Sequence, residues 1–168
     1  QVGKWYDDVD NFREGFAGVR LNGKMSFINT NMEQVGEWYD FVWDFHEGFA
    51  RVYLNDKYSF INTNMEQVGE WYDFVWDFHK GFAKVKLNDK YSFINTNMEQ
   101  VGEWYDFVWD FDEGFAGVKL NGKWTFINTN GKQVGGWYEW VDNFDDGFAD
   151  VGLNGRCYRI NTHGEIVG

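Results

Sequence analysis

The tripeptide Gly-Phe-Ala recurs at 15–17, 48–50, 81–83, 114–116 and 147–149, a constant step of 33 residues. No other feature constrains the fold as strongly. A unit this short cannot bury an apolar face by itself, so each copy must pack on its neighbours and the chain is read as one repeat domain. The 168 residues divide into units 1–33, 34–66, 67–99, 100–132 and 133–165, and Ile166-Val167-Gly168 restarts the pattern with a "QVG"-like end. Gln34–Glu66 and Gln67–Glu99 differ only at Glu47/Lys80, Arg51/Lys84 and Tyr53/Lys86, which indicates recent duplication or deliberate copying.

Local pattern sets the class. In the second copy "ARVYL" and "KYSFI" flank Asn55-Asp56, and the same place holds Asn22-Gly23, Asn121-Gly122 and Asn154-Gly155 in other copies. Both residues of a two-residue type I′ turn need positive φ, which Asn, Asp and Gly tolerate. The turn fixes a register in which Leu54 faces Lys57, Tyr53 faces Tyr58, Val52 faces Ser59 and Ala50 faces Ile61. "NTNME" is a second polar turn, "QVGEW" a short third strand, and "YDFVWDFHEG" a crossing to the next unit. Glycines interrupt every stretch and apolar residues alternate, so no helix is expected. The fold class is all-β: five hairpin-plus-strand units in an open, solenoid-like stack. The alternative is a small five-bladed, propeller-like ring latched through Gln1–Gly3 and Ile166–Gly168. Asp8 in place of Phe41, Phe74 and Phe107, and Arg159 in place of inward phenylalanines, favour open polar ends.

Bulk chemistry removes several partners. A formal net charge of −12 opposes nucleic-acid backbones and anionic membrane surfaces. No apolar run approaches the roughly 20 residues of a membrane-spanning helix. A lone Cys157 allows no intrachain disulfide and reads as a structural thiol. No signal-peptide pattern is expected within these residues, and Gln1 reads as a trimmed mature end or an arbitrary boundary.

The stretch "YDDVDNFREGFAGVRLNGKMSFINTNMEQV" (Tyr6–Val35) resembles units of the bacterial WG-repeat family, and the likeness extends over all five copies. The eponymous Trp-Gly is replaced by Met25-Ser26, Tyr58-Ser59, Tyr91-Ser92, Trp124-Thr125 and Cys157-Tyr158. The resemblance implies a non-catalytic bacterial interaction module with no catalytic residues to carry over. "NGKWTFINTNGKQVGGW" (Asn121–Trp137) is also similar to choline-binding and clostridial-toxin cell-wall repeats, which keeps a glycan ligand and a secreted or cell-surface location in view.

Candidate chemistry is sparse. Ser26, Ser59 and Ser92 are copies of one hairpin position without a neighbouring His and carboxylate, and His46 and His79 are likewise one position. An active site is a single asymmetric constellation, so no enzyme and no cofactor are expected. Asp44, His46 and Glu47, and Asp142, Asn143, Asp145 and Asp146, read as solvated turn carboxylates and not as a metal site. Trp5, Trp38, Trp71, Trp104 and Trp137 occur in every copy with a following tyrosine, and are expected to carry the packing, as are Phe16, Phe49, Phe82, Phe115 and Phe148. A second set differs. Trp43, Trp76 and Trp109 occur only in the central copies, where the outer ones carry Asp10 and Asp142. With Phe41, Phe74 and Phe107 beside them and Asp44, Asp77 and Asp110 following, they are the candidate ligand-binding residues, suited to sugars or to cations on ring faces. The competing explanation for this set is descent by duplication combined with packing. The expected function is a non-enzymatic binding or scaffold module making multivalent contacts to a protein or glycan; the alternative is a purely structural spacer.

Overall fold

The computed structural model describes residues 5–168; the pairing expected for Gln1–Gly3 lies outside them. Among the described residues the chain is all strand and turn, in five tandem antiparallel sheets of three or four strands with no closed barrel. It forms two compact units, Gln1–Leu87 and Asn88–Gly168. In the first unit, β1 (Asp8–Val9), β2 (Phe16–Leu21), β3 (Lys24–Asn29) and β4 (Gln34–Tyr39) make one sheet in chain order. β5 (Phe41–His46), β6 (Phe49–Leu54), β7 (Lys57–Ile61) and β8 (Gln67–Tyr72) make the next, and β9 (Phe74–Val75) pairs with β10 (Phe82–Leu87). In the second unit β11 (Lys90–Asn95) pairs with β12 (Gln100–Tyr105). There follow a sheet of β13 (Phe107–Val108), β14 (Phe115–Leu120), β15 (Lys123–Asn128) and β16 (Gln133–Tyr138), and one of β17 (Trp140–Val141), β18 (Phe148–Leu153) and β19 (Arg156–Asn161).

The hairpin register is the expected one: Ala50 opposes Ile61, Val52 opposes Ser59, Tyr53 opposes Tyr58 and Leu54 opposes Lys57. Asn55 and Asp56 sit at φ 53° and 65°, as a type I′ turn requires. The segment expected to cross between units does more. Phe41–His46 is an edge strand of the sheet that follows, with Phe41 opposite Tyr53 and Val42 opposite Val52. A second tight turn, Glu47-Gly48 at φ 51° and 86°, folds it back on β6. Each complete sheet is therefore a four-stranded meander, not a hairpin plus one strand. The sequence signal was Asp146-Gly147 in the last copy, which the Glu and Lys of other copies conceal.

An asparagine closes the polar turn in every copy, and a buried hydroxyl ties the next strand in the first four. The Asn62 side-chain oxygen accepts the N–H groups of Asn64 and Glu66, both at 3.0 Å, closing the "NTNME" turn. The strand that follows carries a β-bulge, with a register shift between Tyr58 and Phe60 on its partner. Ser59 is wholly buried, and its hydroxyl donates to the Glu70 carbonyl at 2.8 Å while accepting from Gln67 Nε2 at 2.8 Å. The small residue there is thus a pin for the bulged strand as well as room for packing.

The core draws on both faces of each sheet. Ala50, Val52 and Ile61 are fully buried on one face and Phe60 on the other. Successive sheets join through rings: Phe27 meets Phe45 at 5.0 Å and Phe60 meets Phe78 at 4.8 Å in the first unit. Phe93 meets Phe111 at 4.7 Å and Phe126 meets Phe144 at 4.7 Å in the second. The expected packing by the invariant Trp-Tyr pairs holds for the tyrosines and for Trp38 and Trp71, which lie half-buried against core clusters, but not at the outer copies. Trp5 is 80% exposed and Trp137 40% exposed, whereas Tyr39, Tyr72, Tyr105 and Tyr138 are buried. A tyrosine at the end of the bulged strand can bury its ring and still satisfy its hydroxyl, which at Tyr105 accepts the Glu103 N–H at 3.2 Å.

Two further ties join neighbouring sheets. Asp40 bridges backward to Lys24 and forward to the Asn55 N–H, which lies 3.0 Å from Oδ2; Asp106 repeats this with Lys90 and with Asn121 at 2.8 Å. The bulge glycine of one copy also packs on the polar turn of the next. Gly36 faces Met65 with space for little more than a hydrogen, and a Cβ on Gly131 would come within 2.3 Å of the Gly102 nitrogen.

Two outcomes are expected. Gly131→Met installs the residue that three other copies carry, yet the turn there lies too close to Gly102 backbone, so thermal melting should show a loss of about 1–3 kcal/mol, as overpacking does. Lys90 and the Asn121 N–H hold the Asp106 carboxyl below its ordinary value of 3.8. Its stabilising contribution is therefore complete above about pH 4 and is lost as pH falls through the depressed value. Asp106→Asn should flatten that acid limb in melting curves recorded against pH.

Candidate functional site

The nine residues singled out from the sequence fall in adjoining places, but their surroundings differ from copy to copy. In the second sheet the Trp43 ring lies 4.6 Å from Phe41 and 5.8 Å from Tyr58. In β9 and the residues after it, Phe74 lies 4.6 Å from Trp76 and 4.7 Å from Tyr58. In the second unit Trp109 packs on Trp124 at 4.5 Å, and Phe107 stands 40% exposed at the edge of that pair. The aromatic grouping is real in each case. None of the three tryptophans is fully buried or fully exposed.

What covers the rings was missed in the sequence. The residue across the strand pair from each tryptophan is Arg51, Lys84 or Gly117. The Arg51 guanidinium carbon sits 4.7 Å above the Trp43 ring centre, and Lys84 Nζ sits 4.5 Å above that of Trp76. Arg51 also reaches Asp77, with Nε 2.9 Å from Oδ1, and its Nη1 donates to the Val75 carbonyl at 3.4 Å. The Nε–H is not aligned on the carboxylate, so this is a charge contact and not a directed hydrogen bond. At Trp109 the opposing glycine lets the indole settle on the backbone, where a Cβ on Gly117 would meet the ring at 2.8 Å. The cation expected on a ring face is thus supplied by the chain itself in two copies. The sequence did hold a trace of this, because a basic residue stands opposite tryptophan at both Arg51 and Lys84.

The first copy breaks the pattern. Asp10 replaces the tryptophan, and its backbone N–H bonds the Gly18 carbonyl at 2.8 Å, so Gly18 replaces the arginine. An open cleft of about 310 Å³ remains, lined by Asp10, Asn11, Arg13, Phe41, Val42, Trp43 and Asp44. Three of the predicted residues, Phe41, Trp43 and Asp44, meet here with Asp10, which the sequence reading had treated only as the absence of tryptophan. Burial raises the Asp10 pKa above 3.8, and the nearby Asp44 and Asp8 charges raise it further against the opposing pull of Arg20. Arg13 stands at the rim with Nε 3.9 Å from Asp44 Oδ2.

A second cleft, of about 370 Å³, lies in the last sheet among Asp142, Asn143, Asp145, Asp146, Phe148, Asp150 and Arg159. Here Arg159 donates to Asp150 from Nε at 2.9 Å and from Nη2 at 3.4 Å. That hydrogen bonding holds the Asp150 carboxyl below its usual range. Carboxylate oxygens of Glu113, Asp145 and Asp146 approach within 4.8 Å of one another, all on exposed side chains. Glu113 accepts the Asp146 N–H at 3.1 Å, the same turn-to-turn tie that Glu47 makes to Lys80 at 3.0 Å. Asp110 is exposed.

With this geometry in hand, the comparison with known families is decisive for kinship. The WG-containing repeat matches residues 6–24, 25–58, 58–91 and 91–124. The chain belongs to the WG-containing repeat family. A search of curated proteins finds no match. Among solved structures the WG-repeat chain is similar to Kluyveromyces lactis Hsv2 with loop 6CD replaced by a Gly-Ser linker, at TM-score 0.45 and 10% identity over 96% of this chain and 66% of that one. Unaltered Kluyveromyces lactis Hsv2 gives TM-score 0.44 and 11% identity over 96% and 63%. A Bacteroides caccae protein of unknown function gives 0.34 and 11% over 95% and 78%. The chain thus spans just under two thirds of the Hsv2 chains.

The charge arrangement around Asp10 has a measurable consequence. Its folded pKa is raised, so the folded state binds the proton more tightly than the unfolded state, and stability falls as pH rises from about 3.8 through the raised value. Above that window the ionised carboxylate lowers stability by a constant amount. Asp10→Asn is therefore expected to raise the melting temperature at neutral pH, with the advantage vanishing at and below about pH 4.

Proposed function

We propose that the chain is a non-catalytic binding module that holds a cationic segment of a partner protein in the cleft lined by Asp10, Phe41, Trp43 and Asp44. The single observation that carries this reading is the cleft itself, in which two carboxylates and two aromatic rings face the same open volume. Aromatic faces beside carboxylates favour a cation over a neutral ligand. The formal net charge of −12 draws such a segment in from solution. The repeated array supplies a rigid support for the cleft. Contact at Trp76 is secondary in this reading, because Lys84 lies over that ring; Trp43 also carries Arg51 over its ring and meets the cleft with the part of the indole that lines it.

The test is a side-by-side titration of the protein with Lys/Arg-rich peptides and with cell-wall oligosaccharides, by calorimetry at two salt concentrations. Peptide binding that weakens with salt is expected, and Asp10→Asn/Asp44→Asn should reduce its affinity by about tenfold while the protein stays folded, the scale of one lost charge-assisted contact. Binding of oligosaccharide alone would move the module to glycan recognition. No binding by either class would leave the array as a spacer.

A further inference from the structure

The repeat carries its own template for what the first cleft holds. Where the second copy meets β9 and the segment after it, one guanidinium makes three contacts: the Trp43 ring, the Asp77 carboxylate and the Val75 carbonyl. Moving each partner back by one 33-residue step gives Asp10, Asp44 and Val42, and all three line the open cleft. The arginine itself moves back to Gly18. So the first copy keeps the carboxylate and the carbonyl-bearing valine, exchanges the ring for a second carboxylate and has no side chain at the place of Arg51; its nearby cations are at the rim, where Arg13 Nε lies 3.9 Å from Asp44 Oδ2, and over Phe41, where Arg20 lies 6.0 Å from the ring centre.

Resting on the reading above, we propose that this cleft is a receptor for a single arginine side chain from another protein, occupying the place that Arg51 fills from within the chain at the next repeat.

Three features set the choice of arginine. The guanidinium is planar and offers several donors in a fixed fork, so it can reach Asp10 and Asp44 together while lying along Phe41 and Trp43; an ammonium is a point charge that meets fewer of these at once. The chain's own residue at the template position is an arginine where the recognised carboxylate is 2.9 Å away. Gly18 supplies no side chain at this place, and the Asp10 carboxylate leans over it, with Oδ2 2.9 Å from where a Cβ would stand. The seat is reached from solvent, past the exposed Asp10 and Asp44. Burial first, and the Asp44 charge second, raise the Asp10 pKa, and a bound guanidinium would offset the Asp44 contribution and favour the ionised carboxyl.

The experiment compares acetyl-Gly-Gly-Arg-Gly-Gly-amide with its lysine counterpart on the full chain, following the Trp43 indole N–H by two-dimensional NMR. The arginine peptide is expected to shift that signal with an affinity about tenfold above that of the lysine peptide. Asp10→Trp/Gly18→Arg rebuilds the second copy's own pair in the first and fills the seat, so it should abolish the shift. Asp44→Asn, a smaller change that leaves packing intact, should weaken it several-fold and serves if the double variant does not fold. Equal affinity for both peptides, with both lost in the variants, overturns the arginine assignment and leaves the cationic cleft standing. Binding that survives both Asp10→Trp/Gly18→Arg and Asp44→Asn places the contact elsewhere and overturns both readings. No shift with either peptide at millimolar concentration overturns the arginine inference, while the longer basic peptides of the preceding test decide the cleft separately.

Discussion

The ring pair that joins each sheet to the next is the contact on which the structure depends. A four-stranded meander of about 30 residues is marginal by itself, since it cannot cover its own apolar faces. Phe60 is almost wholly buried, and what completes its burial is Phe78, which belongs to the following copy. Truncation of such a ring typically costs about 3–5 kcal/mol. A loss of that size would be felt by two sheets at once, because each needs the pair. The Lys-Asp-turn clasp and the packing of bulge glycine on polar turn refine this junction and fix its spacing. They act on surfaces that the rings have already brought together.

How much of this could be read in the sequence follows from how local each determinant is. The Asn-Asp and Asn-Gly turns act through two residues, and the register expected from them holds at the four pairs Ala50–Ile61, Val52–Ser59, Tyr53–Tyr58 and Leu54–Lys57. The bulged strand was found as a strand but not as a bulge, because its defining feature is the positive φ of a glycine that also looks like an ordinary breaker. The edge strand at Phe41–His46 was read as a crossing, since Glu47-Gly48 does not advertise a tight turn as Asp-Gly does. The deeper burial of the tyrosine than of the tryptophan in each pair has another cause. Both recur in every copy, and recurrence cannot say which of two adjacent rings faces inward. That depends on the bulge, which turns the tyrosine toward the hairpin and the tryptophan toward its edge.

The candidate site was legible as a contrast and not as a geometry. Trp43, Trp76 and Trp109 stood out because the outer copies carry aspartate there, and the reading followed the tryptophans. The structure moves attention to one of the aspartates. Asp10 lies 33 residues before Trp43 and across the strand pair from Gly18, and only the three-dimensional pairing shows that the two stand together beside the cleft. A sequence rule can be drawn from this. In a repeat array, two deviations from the common residue that are opposed across one strand pair mark a cavity, whereas a single deviation is usually absorbed by its neighbours.

That rule also explains why a near-identical array is a reasonable support for one specific site. Packing between copies is already solved by the repeated residues, so altering a single opposed pair costs one local contact and leaves the remaining junctions unchanged. At the altered junction the groups that used to hold an internal side chain are still in place, with their spacing fixed by the sheets on either side. Arg51 meets Trp43, Asp77 and Val75 because the repeat positions them, not because arginine organises them. Glycine at 18, where the next copy has arginine, and a carboxylate at Asp10 therefore leave a preorganised set of acceptors with a charge to be matched from outside. Preorganisation of this kind limits the ordering entropy that an external cation must overcome. The same mechanism that stabilises the repeat from within becomes, after two substitutions, a mechanism for recognising something outside it.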